Sequence, residues 1–192
     1  SQGTYSVAIG ASAGNSNQSA NSVALGTSAG QTTQGINAVA IGLEAGQTTQ
    51  GTESIAIGYT AGKTTQGAFS VAVGLNAGQT TQGSTAVALG YNAGKTSQGQ
   101  SAVAIGYNAG ITSQATNTII LNATGANLNQ TTANTFTVKP VRQANTANAM
   151  YYDASTGEIT YDTTSYNAGT PAWTSAGAIT ITATTTNPTK GT

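Results

Sequence analysis

The stretch Gln34–Thr49 reads QGINAVAIGLEAGQTT, and Gln50–Thr65 repeats it as QGTESIAIGYTAGKTT with no residue between them. Gln recurs every sixteen residues, at Gln2, Gln18, Gln34, Gln50, Gln66, Gln82, Gln98 and Gln114. In the same register stand Val7, Val23, Val39, Ile55, Val71, Val87, Val103 and Ile119, and two residues on come Ile9, Leu25, Ile41, Ile57, Val73, Leu89, Ile105 and Leu121. One glycine column runs from Gly10 to Gly106 and another from Gly14 to Gly110. Eight tandem copies at a fixed period predict a solenoid.

Residue type divides each copy. Val-Ala-Ile alternates with period two and is rich in β-branched residues, so it reads as a short strand. Glycine follows and permits a sharp corner. Leu43-Glu44-Ala45 reads as a second short segment, and Gln-Thr-Thr-Gln-Gly as the longer return. The coils are expected to stack as parallel strands about 4.8 Å apart, giving a rod about 38 Å long. Val and Ile are expected inside the roll. The alanines between them, Ala40, Ala56, Ala72, Ala88 and Ala104, are expected to face outward and to form a trimer interface, because so thin a roll has little core of its own.

Composition narrows the function classes. Only ten side chains are charged, five of each sign, so net charge offers no handle for nucleic acid or an anionic membrane. Val, Ile, Leu and Phe make up 29 of 192 residues, a core that is small per residue and repeated many times. Cys and His are absent, which removes disulfides, thiol chemistry and imidazole bases. No apolar run approaches the roughly 20 residues of a membrane span. The chain begins inside a repeat, as expected for a processed product or a piece of a longer one.

SVAIG, SVALG, AVAIG, SIAIG and SVAVG resemble the head repeat of trimeric autotransporter adhesins, over about residues 4 to 122. That resemblance implies a left-handed parallel β-roll with three chains packed around a common axis. The period here is slightly longer than such repeats commonly show, with the extra length in the TTQG turn.

The repeat changes after Leu121. Phe136-Thr137-Val138 reads as a strand closed by Pro140. Met150-Tyr151-Tyr152 and Ile159-Thr160-Tyr161 flank a glycine-containing loop and read as a hairpin able to plug the open end of the roll. The expected organisation is an eight-coil roll over 1–129, a hairpin cap or neck over 130–168, and the start of a further β segment over 169–192. The run KPVRQANTANAMYYDASTGEITYD is similar to a segment of fibre and spike proteins of bacteriophages and large algal DNA viruses. It implies a virion-surface or extracellular fibre whose partners are its own copies, other virion proteins and a host-surface glycan or receptor.

Candidate chemistry is sparse. Gly58–Thr64 and Gly90–Thr96 superficially match a phosphate loop, but only three residues separate the first glycine from Gly-Lys, where four are needed. Glu44 and Glu53 read as surface charges. Asp153, Glu158 and Asp162 could hold a cation, although turn chemistry explains Asp153 equally well. No catalytic, cofactor or metal residue is assigned, and the chain is expected not to be an enzyme. The Thr column of Thr48, Thr64, Thr80 and Thr96, each followed by a second Thr or Ser, is a candidate ridge for a glycan or ice. Its hydroxyls are more plainly read as bonding neighbouring turn amides. Tyr59, Tyr91 and Tyr107 could stack on sugars, or cover a turn or a neighbouring chain. The sequence thus favours a viral fibre mediating attachment, with the head of a bacterial trimeric adhesin or a monomeric ice- or glycan-binding solenoid as alternatives.

Overall fold

The computed structural model describes residues 2–141 and 150–161. Val-Ala-Ile segments from Val7–Ile9 to Ile119–Asn122 pair in parallel, each with the equivalent segment one coil on, so that Val39 lies opposite Ile55 and Ala40 opposite Ala56. Residues 2–141 form an all-β parallel solenoid of about eight turns, and no helix occurs among the described residues. A second sheet of six shorter parallel strands runs from Thr33–Gln34 to Thr112–Gln114. Gln2 and Gln18 continue it as single bridges.

The second strand of each coil is therefore Thr-Gln, such as Thr49–Gln50, and not the Leu43-Glu44-Ala45 segment expected from the sequence. That segment is a turn. Glu44 has φ 56° and Gly46 φ 53°, both left-handed, which no extended strand accommodates. The corner glycines need to be glycine for a second reason. A Cβ on Gly42 would sit 2.6 Å from the carbonyl oxygen of Gly58, so these corners stack backbone on backbone.

The interior reverses the expected arrangement. Ala40, Ala56, Ala72, Ala88 and Ala104 are fully buried, while Val and Ile of the same strands point out and stay half-exposed or exposed. These five alanines therefore cannot form an interface between chains. The cause is the width of the coil. A Cβ placed on Gly46 would lie 2.7 Å from the Gln50 Oε1 and 3.3 Å from the Ala40 Cβ, so the walls leave space for methyl groups and little else. Ala40, Ala45 and their equivalents make up the core there, joined at Ile119–Asn122 by Ile120, which is fully buried opposite Ala104, while the flanking Val and Ile side chains lie outside.

The one long side chain inside each coil is the recurring Gln, which crosses from the Thr-Gln sheet to the Val-Ala-Ile sheet. Gln50 Nε2 donates to the Val39 carbonyl at 2.7 Å, and Gln66 Nε2 to that of Ile55 at 2.7 Å. The same geometry recurs from Gln18 to Gln114. Gln50 and Gln66 Oε1 are buried without a hydrogen-bond partner. Each lies against the glycine of its own coil, where only a weak C–H contact is on offer. Gln98 differs, since its Oε1 accepts from Gln82 Nε2 at 3.1 Å.

Beyond Leu121 the step lengthens by one residue and the sheet continues. Phe136–Lys139 pairs in parallel with Ile119–Asn122, Phe136 opposite Ile119 and Val138 opposite Leu121. The expected strand is present, but as a ninth member of the roll's sheet. Contacts divide the chain into Ser1–Val141 and Arg142–Thr192. Within the second unit Met150–Tyr152 and Ile159–Tyr161 form the expected antiparallel hairpin. Residues 162–168 of the expected cap and the whole of 169–192 lie outside the described residues.

Candidate interaction surface

With the alanines inside, the outer face of the long sheet carries two unbroken columns of apolar side chains. One runs from Val7 through Val39 and Val71 to Ile119, the other from Ile9 through Ile41 and Val73 to Leu121. Phe136 and Val138 extend both columns onto the ninth strand, and Phe136 is 52% exposed. No charged residue interrupts either column. Isolated exposed valines and isoleucines need no explanation, but a continuous apolar strip on one face marks an interaction surface. The sequence contained both columns in full. What hid the face was the assumption that the larger apolar side chains go inside.

Each rim of this face has its own character. At the C-terminal end of the strands, past the glycine, stand Leu43, Tyr59, Leu75, Tyr91 and Tyr107, all exposed. The rings of Tyr91 and Tyr107 are stacked, with centroids 5.2 Å apart and planes 6° from parallel. Each therefore covers a face of the other, which leaves less ring surface for a sugar. Just behind this rim runs an amide ladder that the sequence reading missed. Asn76 Nδ2 donates to Asn92 Oδ1 at 2.9 Å, Asn92 to Asn108 at 3.0 Å, and Asn108 to Asn127 at 2.7 Å. Asn in three consecutive copies was its only signal.

The Thr ridge lies away from the apolar face. Thr48, Thr64 and Thr80 are exposed at bends, and Thr96 begins a short strand. The second Thr of each pair, such as Thr49 or Thr65, lies in a strand and not in a turn. The amides are already in use, because Thr48 N–H donates to the Lys63 carbonyl at 2.8 Å and Thr49 N–H to that of Thr64 at 3.0 Å. The expected bonding of the hydroxyls to turn amides is therefore not what holds this edge.

The remaining candidates resolve into structural roles. Gly58 and Gly62 lie at corners of stacked coils, and Lys63 of the loop-like stretch pairs with Glu44 at 2.7 Å. Asp153 Oδ1 accepts from the Ser155 hydroxyl at 2.6 Å and the Ser155 amide at 2.8 Å. These bonds, the hydroxyl first, hold its carboxyl below the usual carboxylate range and assign it to the hairpin turn. Asp162 lies outside the described residues.

Two copies of the YadA head domain repeat match the chain, over residues 50–77 and 96–109, about a fifth of its length. No curated protein and no solved structure matches it. In its repeats the chain is similar to adhesin heads, and both matched segments contain a Val-Ala-Ile strand of the apolar face.

Proposed function

We infer that this protein is a structural, non-enzymatic component of a surface-exposed head or fibre, assembled from three copies that bury the Val/Ile face around a common axis. The observation that carries this reading is the uncharged apolar strip, which continues past the last repeat onto Phe136 and Val138. Burial of each half-exposed Val or Ile contributes about 25 cal/mol per Å² of apolar surface removed from water, repeated along nine strands. The likeness to YadA head repeats supports both the trimeric order and an extracellular location.

The role of such an assembly is mechanical and multivalent. Coils whose backbones are paired above and below form a stiff spacer, and three copies of each weak contact raise avidity without a stronger single contact. The partner proposed is a host-surface glycan or receptor. The repeats fit a bacterial adhesin head as well as a viral fibre. Antibodies raised against the purified chain distinguish the two by labelling either virions or the outer surface of cells. Excess purified protein is expected to reduce attachment of the particles or cells that bear it. Unchanged attachment, with no surface labelling, would contradict the reading.

A further inference from the structure

The core of the roll is not uniform along its length. From Ala24 to Ala109 its buried apolar side chains are all alanines, in two columns that stack coil on coil. At the end of both columns the residue changes. Ile120 stands opposite Ala104 in one, and Leu128 is bridged to Ala109 in the other. Each buries far more apolar surface than a methyl group does. The first coil shows the reverse, since Ala8 and Ala13 are both part-exposed.

Polar groups complete the end that Ile120 and Leu128 fill. Asn122, in register with the corner Gly106, is buried, and its Nδ2 donates to the Tyr107 carbonyl at 2.7 Å and the Ala126 carbonyl at 2.8 Å. The amide ladder that starts at Asn76 ends on Asn127, inside the same turn. Gln130 lies one period after Gln114 but does not bridge to a Val or Ile carbonyl. Its Nε2 donates to the Thr137 hydroxyl at 3.3 Å, and Thr137 is in register with Ile120. The last strand then stops at Lys139 and Pro140, residue types that discourage a further strand from adding to a sheet edge.

We propose that residues 118–140 are the roll's own cap and its anchor, so that the coils open in order from the N-terminal end and the hairpin at 150–161 is not what closes the roll. In a stack where each coil touches only its neighbours, opening an end coil breaks one interface and opening an interior coil breaks two. The end with the smaller interface therefore opens first, and the plugged end opens last. The inference concerns the single chain and does not depend on the threefold assembly.

Hydrogen exchange of the full chain, read by mass spectrometry, tests it. Amides of 103–106 and 119–122 are expected to exchange at least tenfold more slowly than those of 7–9 and 23–25, because they are released only when the whole roll unfolds. Equal protection at the two ends, or faster exchange at 119–122, would overturn the order of opening. Ile120→Val keeps the fold within reach and should speed exchange at 103–122 about twofold to tenfold, leaving 7–25 unchanged. Uniform acceleration along the roll would mean that it opens as one unit, and no acceleration would mean that Ile120 anchors nothing. Thr160→Pro puts a proline in the middle of the hairpin's second strand and should leave exchange throughout 2–141 as in wild type. Faster exchange in the roll of that variant would show that the hairpin closes it and would contradict the proposal.

Discussion

A single glutamine in each coil links the two sheets of the roll. Gln66 Nε2 donates to the Ile55 carbonyl at 2.7 Å, while its Oε1 is buried without a partner. Gln66→Met keeps an unbranched chain of similar length but removes the donor, leaving the Ile55 carbonyl with its place in the sheet ladder alone. The expected loss is about 0.5–1.5 kcal/mol, read from chemical denaturation; no loss would show that the bond contributes nothing net. Gly62 makes the neighbouring space. A Cβ there would lie 2.7 Å from the Gln66 Oε1, at φ 54°. Gly62→Ala is therefore expected to destabilise by at least about 1–2 kcal/mol from the left-handed backbone alone, visible as a lower unfolding midpoint. The Gln column was legible in the sequence as a period. Its role was not, because residue type places glutamine outside, and only the closeness of the coil walls shows that the amide bridges them.

Strands and corners were legible where chemistry is local. Val-Ala-Ile strands, the glycine corners and the hairpin around residues 153–158 all stand where residue type placed them. The side each strand buries was not legible, since period two fixes that faces alternate and leaves open which is inside. The width of the coil decides it. The second strand was misplaced for a related reason, as Leu43-Glu44-Ala45 carries apolar residues but adopts left-handed turn geometry. The inversion makes opposite predictions for adjacent residues of one strand. Ala72→Glu puts an unpaired carboxylate into a fully buried site and should prevent folding, seen as loss of the β signal in circular dichroism. Val73→Glu points outward and should leave the coil folded while weakening association. A soluble, folded Ala72→Glu chain would restore the alanines to the surface.

Across the whole molecule, five positive and five negative residues leave no net charge, and the face proposed to associate is apolar. Assembly should therefore depend little on salt between low and physiological ionic strength, where charge-driven association would be screened. A strong loss of assembly on adding salt would point to a different interface. The continuation of the apolar strip onto Phe136–Lys139 adds a further test of extent, because removing that strand should shorten the buried face without disturbing the repeats before it. The account as a whole requires that the Val/Ile face be covered by other copies of the chain. The measurement that tests this most directly is mass by sedimentation equilibrium over a range of concentrations. The account predicts a species of three times 18.9 kDa. A mass of 18.9 kDa at every concentration would leave the apolar face bare and contradict it.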